Sequence, residues 1–537
     1  MVVLVTGMSG IKIIESLTKF STEYTEFKAG GTHIDNAPII IKLDSEIEKA
    51  YTENTSEPII KRIWINKILL LPYSEFKNCW NIAVDRVIKT VKEIKAKGNN
   101  RYIFINLHSC YFHNRTQEYL SLLDLKKIKE LDPQIVITFI DDIFDIHQRL
   151  NELGGIYHDY ATANQTQMIL RYFSLLDWRS KETMMSKFVA TQLEKPHYVL
   201  AVKHSYTTLF NLVFKEKQFK KAYLSHPITE VRRLEKENDP QTQRIKNEID
   251  QLENSLSKIF TTFSPTTIDE YRIYTEVKPK TNSTKQEKIY FSILTKRWDE
   301  EKYASQDDFL YRVSGFAGEN SLWIKDKTQI EQDPEINQLL SALSSRISNQ
   351  VTTRDYTLVE QSEVLIIYRP LFNGNASGGV QEEFRYYNEL EKKLCFILCP
   401  IDDTNKFYTK QLNYQIKYHV EQTKRLRIKN GLSFLEFDHE IWNDIDSAIL
   451  DSKEKLSEFI EDKFDNKIEF AEFSEDRVPL GPDELSDFKI SFAENLLNSF
   501  SLLKKYKEKS CTKIDEPLTI DQWVTTIYNF TNQKIVL

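Results

Sequence analysis

Short apolar runs alternate with amphipathic stretches along the first part of the chain, up to about residue 215. The clearest runs are Val2–Thr6, Tyr102–Asn106 and Ile135–Ile140, which are rich in β-branched residues and bounded by polar or turn residues. Continuous apolar strands of this kind are typical of parallel sheets whose two faces are both covered by helices. The pattern therefore predicts a doubly wound α/β domain over residues 1–215.

A second alternation begins at Lys221, where KAYLSHPIT predicts a strand that leads into a loop. A helix with one apolar face is predicted next, because apolar residues recur at steps of four and three: Ile245, Ile249, Leu252, Leu256 and Ile259. Three later runs predict further strands, Ile289–Leu294, Val364–Tyr368 and Leu394–Cys399. We predict a second doubly wound, Rossmann-like parallel-sheet domain over residues 216–430, with the polar stretch 278–288 as a surface excursion.

The last part of the chain, residues 431–537, has the periodicity of helices. Two apolar faces are predicted, one of Ile445, Ile449, Leu456, Phe459 and Ile460 and one of Phe488, Phe492, Leu496, Leu497, Phe500 and Leu503. No catalytic motif is evident in this region. A helical cap or an oligomerisation element is the prediction for it.

Composition narrows the class of protein. The chain has 537 residues, of which 41% are hydrophobic and 28% are charged, and its net charge of −7 gives no basic field for a nucleic-acid partner. No apolar run approaches the roughly 18 residues of a membrane span, and the opening MVVLVTGMSG has the pattern of a strand and turn instead of a secretion signal. The five scattered cysteines show no metal-binding spacing. We predict a cytoplasmic protein with no metal, no cofactor and no membrane partner.

The turn after the first strand, GMSGIK, resembles part of a phosphate-binding P-loop. A working P-loop needs a second glycine just before its lysine and a Ser or Thr after it to hold Mg²⁺. Here Gly7 and Gly10 are present, but Lys12 comes one residue early and Ile13 stands where the hydroxyl is needed. The predicted nucleotide site of this domain therefore comprises Gly7, Gly10 and Lys12, without the parts for phosphoryl transfer.

Four further segments occur in the order seen in archaeal-type adenylate and nucleoside-monophosphate kinases. They are FINLHSCYF at 104–112, LDPQIVITFIDDIFDIHQRL at 131–150, DWRSKE at 177–182 and YVLAVKH at 198–204. The domain resembles that family over most of its length. The resemblance implies a degenerate kinase fold that binds a nucleotide or supports the assembly, with His108, Asp141, Asp142 and Arg179 as candidate pocket residues.

The stretch 352–387 carries the most informative chemistry. A strand, VLIIY, ends in a loop rich in Gly, Asn and Ser that opens a helix, and ligands of open α/β sheets bind at the carboxyl ends of strands. The loop NASGGV offers amides and a hydroxyl at a helix start, which suits an anion. Glu382 and Glu383 are expected in the first turn of that helix. Paired glutamates there often serve only the helix dipole, which is the alternative reading.

The spacing S-x-G-V-x-x-E at 377–383 resembles that of nucleoside 2-deoxyribosyltransferases and 2'-deoxynucleoside 5'-monophosphate N-hydrolases. YLSHPIT at 223–229, FSPTTIDE at 263–270 and RDYTLVEQSEVLI at 354–366 match further segments of these families, so that the resemblance covers about residues 217–405. The chain departs from them at His226, in the longer loop LFNGNA and in an insertion around 295–345. These departures leave the choice of substrate open.

The resemblance implies a role for each matching residue. Glu383 corresponds to the nucleophile that attacks C1', Asp355 to the acidic residue that protonates or orients the departing base, and Ser377 to the hydroxyl near the 5' group. Such chemistry suits two carboxyl groups on either side of an oxocarbenium-like state. The further substrate- and phosphate-binding residues that it implies are Gly378, Gly379, Tyr223, Ser225, His226 and Pro227, and Arg369 is a candidate wall residue. Neighbouring subunits complete such pockets in these families, so a homo-oligomer is expected.

The predicted function is an N-glycosidase that cleaves the base–sugar bond of a nucleotide, with a 5'-phosphorylated nucleoside preferred. Capture of the intermediate by water gives hydrolysis, and capture by another base gives transfer. Two alternatives stay open. NAD has an N-glycosidic bond of the same kind, which suits an NAD hydrolase in a defence context, and two nucleotide-binding domains also suit a non-catalytic nucleotide sensor.

Overall fold

The computed structural model of the chain is an α/β protein in which parallel sheets alternate with helices. It describes residues 1–27, 37–55, 63–97, 101–113, 116–152, 165–216, 218–228, 231, 240–265, 273–276, 290–293, 311–312, 323–324, 334–372, 375–391, 394–400, 403, 426–428, 468–470 and 519–532. The chain divides into two compact units, Met1–Tyr223 with Ile259–Glu363, and Leu224–Lys258 with Val364–Leu537. Each unit is built from two separate stretches, whereas the sequence prediction divides the chain linearly after residues 215 and 430.

The first sheet has five parallel strands in the order β2-β3-β1-β6-β7. The strands along this part of the chain are β1 (Val2–Thr6), β2 (Ile39–Lys42), β3 (Ile103–Asn106), β4 (Tyr111–His113), β5 (Glu118–Leu120), β6 (Ile135–Ile140) and β7 (His197–Ala201), of which β4 and β5 form a separate antiparallel pair. Val3 pairs with Phe104 of β3 on one side and with Ile135 of β6 on the other. The predicted bounds of β1 and β6 are confirmed, and β3 begins one residue later than predicted, at Ile103.

Helices cover both faces of this sheet. They are α1 (Ile13–Phe27), α2 (Leu43–Thr55), α3 (Ile63–Asn66), α4 (Tyr73–Ala96), α5 (Leu125–Leu131), α6 (Ile143–Glu152), α7 (Gln165–Gln192) and α8 (Tyr206–Phe214). Alternate residues of a strand face the same side, and Val2 and Leu4 join the core cluster that includes buried residues of α2 and α4. Val3 and Val5, which face the other side, are also fully buried. Burial on both faces explains why the strands read as continuous apolar runs.

The second sheet has four strands in the order β15-β14-β8-β9, and the parallel pairs β8·β9 and β14·β15 form its two edges. Strands between residues 221 and 400 are β8 (Lys221–Ser225), β9 (Thr261–Phe263), β10 (Ile273–Glu276), β11 (Tyr290–Ile293), β12 (Tyr311–Arg312), β13 (Trp323–Ile324), β14 (Val364–Tyr368) and β15 (Leu394–Leu398). Among the described residues, the helices that accompany them are α9 (Pro240–Leu256), α10 (Pro334–Glu360) and α11 (Gly378–Glu389). The α/β class predicted for this region is confirmed, as are the bounds of β14.

Two predictions about apolar runs need correction. Ile259 was predicted on the apolar face of α9, but the helix ends at Leu256, and its buried apolar residues are Ile245, Ile249, Leu252 and Leu256. The run at 289–294 is a strand, but β11 pairs with β10 in an antiparallel hairpin instead of joining the parallel sheet. Apolar runs identify strands, whereas the choice of partner depends on residues distant in sequence.

The region after residue 431 is not wholly helical. β17 (Ile468–Phe470) pairs antiparallel with β16 (Leu426–Ile428), where β-branched and aromatic residues favour a strand. Helix α12 (Ile520–Asn532) agrees with the prediction. The two predicted apolar faces between residues 445 and 503, and the polar stretch 278–288, lie outside the described residues. Within the described part of the chain, every helix is too short or too polar to cross a membrane.

Candidate functional site

The loop after β14 leads directly into α11, which begins at Gly378 with Ser377 as its N-cap residue. Ser377 has extended backbone angles, φ −74° and ψ 118°, and its carbonyl accepts the bond from the amide of Gln381 at 3.0 Å. Because the helix starts at the glycines, Glu382 and Glu383 lie in its second turn, not in the first turn as predicted. The helix dipole acts mainly on charges within the first turn, so dipole stabilisation accounts poorly for these two glutamates.

The two glycines at the start of α11 are exposed and have no packing reason to be glycine. A Cβ atom built on Gly378 or Gly379 meets no heavy atom within 4 Å, and neither residue has a positive φ. Glycine in a helix costs about 1 kcal/mol relative to alanine. The first amides of a helix lack intrahelical partners, so this open space gives a ligand close access to backbone N–H groups.

Glu383 is held by a serine from the other predicted motif. The hydroxyl of Ser225, at the end of β8, donates a hydrogen bond to Oε2 of Glu383 at 2.5 Å, across 158 positions of sequence. Ser225 is fully buried and Glu383 is half-buried. The carboxylate therefore has a fixed partner at the carboxyl end of the sheet, which is where ligands bind in open α/β folds.

Glu382, the neighbour of Glu383, has a different environment. Its side chain is 51% exposed and forms an ion pair with Arg385, one turn further along the same helix, at 2.6 Å. Exposed pairs of this kind contribute little to stability. The two adjacent glutamates are thus distinct, one at the sheet edge and one in solvent.

Ser377 is buried, yet its side chain makes no capping hydrogen bond in the described structure. Serine at an N-cap position usually bonds the amide of the second or third helical residue. Its backbone amide donates instead to the carbonyl of Pro370 at 3.1 Å, which closes the loop on itself. The structure places this hydroxyl at the helix start, next to Gly378 and Gly379.

The turn that follows β8 contains the other predicted binding residues of this motif. Ile228 donates its amide to the carbonyl of His226 at 2.9 Å, and Val231 donates to that of Pro227 at 3.2 Å. His226 is buried. Tyr223, one of the predicted substrate-binding residues, is fully buried within β8 and presents no surface to solvent.

A charged cluster that the sequence did not reveal fixes the end of β14. Arg369 is 3% exposed, has a positive φ of 54°, and bonds Asp403 at 2.5 Å and Glu248 at 2.7 Å. Tyr368 donates to the same carboxylate of Glu248 at 2.8 Å. Burial opposes the charge of Arg369, but the bonds and charges of these partners raise its pKa. This cluster anchors the residue from which the glycine-containing loop departs.

Asp355 lies near the end of α10, in the other compact unit. Its Oδ1 accepts two bonds from the adjacent Arg354, from Nε at 3.0 Å and from Nη2 at 2.8 Å. Arg354 also donates to the carbonyl of Pro265, just beyond β9, at 3.3 Å. Arg354 thus connects two of the segments that carry the resemblance, 263–270 and 354–366.

In the first unit, the loop Gly7–Lys12 is packed closely against its own protein. A Cβ on Gly7 would lie 2.8 Å from the carbonyl oxygen of Phe139, and one on Gly10, which has a φ of 86°, would lie 2.9 Å from Leu150. Lys12 points away, with a side chain 53% exposed and an ion pair to Glu15 at 3.4 Å. The structure does not bring the three residues of the predicted nucleotide site together around one group.

A buried carboxylate bonds the amides at this sheet edge. Glu182 accepts from the backbone N–H of Gly7 at 3.1 Å, of Ser109 at 2.7 Å and of Cys110 at 2.8 Å. Burial raises the pKa of Glu182, although the charge of His108 and these amide bonds oppose the shift. Glu182 is the last residue of the segment DWRSKE, but nothing in its local pattern indicated an internal anion.

The remaining candidates of the first unit form two groups. Asp141 is fully buried and pairs with Arg149 at 2.6 Å, while Arg179 donates to the carbonyl of Asp141 at 3.1 Å and to Gln350 at 2.7 Å. Asp142 is buried and begins the turn into α6. His108 faces elsewhere, since its Nε2 lies 3.2 Å from Oδ2 of Asp44. The charged residues after β6 thus have structural partners.

Comparison with known proteins assigns the chain to no family. No protein-family model matches the chain, and no curated protein matches it significantly. Among the described residues, no group of three or more His, Cys, Asp or Glu side chains is arranged to hold a metal ion. Any functional assignment therefore depends on the geometry described above and on the resemblance of the motifs.

Proposed function

We propose that this chain is an N-glycosidase that cleaves the base–sugar bond of a 5'-phosphorylated nucleoside, with Glu383 as the nucleophile. The observation that carries the proposal is the hydrogen bond from Ser225 to Glu383 beside the open glycine start of α11. Two of the segments that carry the family resemblance, 223–229 and 377–383, meet at this bond.

In the proposed reaction, an Oε atom of Glu383 bonds C1' of the sugar as the C1'–N bond breaks. The bonding electrons leave with the base, which takes up a proton from solvent, and a glycosyl ester of Glu383 remains. Water then adds to C1', loses a proton and releases the carboxylate. Transfer differs only in that the nitrogen of another base replaces the water.

The proposal assigns the supporting roles from these contacts together with the resemblance. Ser225 orients the carboxylate of Glu383 through its hydroxyl, and the amides of Gly378 and Gly379 with the Ser377 hydroxyl bind the 5'-phosphate. By the resemblance, Asp355 protonates or orients the departing base. Since Oδ1 of Asp355 already accepts two bonds from Arg354, orienting the base suits it better than donating a proton.

The test compares Glu383→Gln with Glu382→Gln, an identical change at the adjacent position. Purified full-length protein is incubated with a panel of nucleoside monophosphates, their deoxy forms, free nucleosides and NAD, and released base is measured by chromatography. We expect Glu383→Gln to abolish release and Glu382→Gln to retain most of it, because Glu382 lies in solvent. Both proteins should melt near the parent temperature, since one exposed or half-buried helix carboxylate carries little stability.

The outcomes separate the proposal from its alternatives. Undiminished turnover by a folded Glu383→Gln variant would remove Glu383 from the mechanism. Release of nicotinamide from NAD without release of base from monophosphates would identify an NAD hydrolase. Saturable nucleotide binding without any released product would identify a sensor.

A further inference from the structure

The loop that leads from β14 into α11 begins at a residue with an unfavourable backbone. Arg369 has a φ of 54°, which lies in the left-handed region that residues other than glycine rarely adopt. Pro370 follows it, and the residue before a proline is restricted mainly to extended conformations. A backbone of this kind persists only where surrounding contacts impose it, and such positions cluster at functional sites.

The contacts of Arg369 account for this conformation. Its backbone N–H donates to the carbonyl of Leu398, at the end of β15, at 2.9 Å. Its guanidinium bonds Asp403 through Nη1 at 2.5 Å and Glu248 of α9 through Nη2 at 2.7 Å. The hydroxyl of Tyr368 donates to the same oxygen of Glu248 at 2.8 Å. Groups from α9, from β15 and from the segment after β15 therefore hold the turn at the end of β14.

Hydrogen bonds within the loop connect this turn to the start of α11. Pro370 accepts at its carbonyl from the backbone N–H of Ser377 at 3.1 Å, and Phe372, which is buried, accepts from the amide of Asn375 at 3.0 Å. Because the peptide between Arg369 and Pro370 is planar, the backbone angles of Arg369 direct the chain through Pro370. A change in the turn therefore displaces Ser377.

The guanidinium of Arg369 acts on the loop and not on a ligand. Its two terminal nitrogens bond Asp403 and Glu248, whose carboxylates compensate its charge. At 3% exposure it also presents almost no surface, so a role in a pocket wall does not suit it. Arginine suits the structural task, because its rigid planar fork bonds two separate carboxylates at once.

We propose that Arg369 is a positioning residue for recognition of the 5'-phosphate, because its ion pairs with Glu248 and Asp403 fix the turn that places the start of α11. The inference rests on the proposed function for the identity of the ligand. It adds that residues without contact to the substrate set the preference for phosphorylated over unphosphorylated nucleosides. A displacement of about 1 Å in a positioning group can lower a rate by about a hundredfold.

The experiment compares Arg369→Lys with Arg385→Lys, an identical change at an arginine of α11 that is 68% exposed. Lysine retains the charge but loses the fork. Glu248→Gln is a second variant, which keeps Arg369 and its bond to Asp403. For each full-length protein, base release gives kcat/KM for a nucleoside monophosphate and for the matching nucleoside. Calorimetry gives the affinity for the monophosphate without requiring turnover, and circular dichroism and melting temperatures report folding.

We expect Arg369→Lys and Glu248→Gln to lower kcat/KM for the monophosphate about tenfold or more relative to the nucleoside, and Arg385→Lys to leave this ratio unchanged. Each change is also combined with Ser377→Ala. The losses should overlap instead of multiplying, because they act through one contact. Equal losses on both substrates, or losses that multiply with that of Ser377→Ala, would indicate a general effect on the fold and overturn the inference.

Failure of the proposed function gives a different result. A parent that binds the monophosphate but releases no base would refute the glycosidase, and the affinities of the same variants would then test Arg369. A parent that neither binds nor cleaves any monophosphate would overturn both proposals. If Arg369→Lys does not fold, Glu248→Gln decides, since glutamine keeps the size of the partner and an acceptor oxygen.

Discussion

At the scale of single residues, the environment of a side chain decides between chemistry and solvation. Glu382 and Glu383 are identical and adjacent, yet one pairs with Arg385 in solvent and the other accepts a bond from buried Ser225. The sequence identified both glutamates, and the spacing of the motif at 377–383 favoured Glu383. Only the fold shows what each carboxylate contacts.

Ser377 provides the test for phosphate recognition. Its buried hydroxyl makes no helix-capping bond in the described structure, so Ser377→Ala should lower kcat/KM for a monophosphate more than for the corresponding nucleoside. The expected difference is the worth of one hydrogen bond to a charged group, about 1.5–3 kcal/mol. Steady-state kinetics with both substrates in parent and variant measure it. Equal losses would mean that the hydroxyl positions the sugar.

At the scale of elements, the two glycines that begin α11 lower the stability of the helix, and in our proposal they leave room for the phosphate. Gly378 and Gly379 are helical without positive φ, and a methyl group on either meets open space. Replacing them with alanine should stabilise the protein by about 0.5–1 kcal/mol per site.

The same methyl groups would occupy the space that we assign to the phosphate, so kcat/KM for a monophosphate should fall. Urea denaturation and kinetics on Gly378→Ala and Gly379→Ala measure the two effects together. A more stable protein with undiminished activity would show that no ligand approaches this helix start.

The element after β1 leads to a different expectation. In the loop Gly7–Lys12, the first amide bonds Glu182 and Lys12 faces solvent beside Glu15. Phosphoryl transfer depends on amides, lysine and metal surrounding the phosphates. With Mg²⁺, ATP and nucleoside monophosphates, the full-length chain should therefore form no diphosphates, and Lys12→Ala should leave every measured property near the parent value.

A coupled assay or chromatography of the products is sufficient for this test. Robust formation of diphosphate by the parent, lost in Lys12→Ala, would contradict the arrangement around Glu182.

At the scale of the whole molecule, each unit brings distant segments to one sheet edge. Ser225 and Glu383 meet across 158 positions, and Gly7 and Glu182 across 175. One edge presents an open helix start, and the other presents amides bonded by an internal anion. Although both sheets are parallel and flanked by helices, their edges differ in the groups they expose, because the fold determines which distant side chains lie there.

The sequence by itself determined the local elements of this protein. The bounds of β1, β6 and β14 followed from short continuous apolar runs, because strands buried on both faces have few polar positions. The buried face of α9, apart from Ile259, followed from its helical periodicity. It also identified the loop after β14 and the segments that carry the family resemblance.

Only the tertiary structure decided the pairing of β11 with β10, the bond between Ser225 and Glu383, and the carboxylate of Glu182 at the amides of Gly7, Ser109 and Cys110. Each of these depends on contacts between residues far apart in the chain. A local pattern of polar and apolar residues records whether a position is buried, but it does not record which distant side chain lies against it.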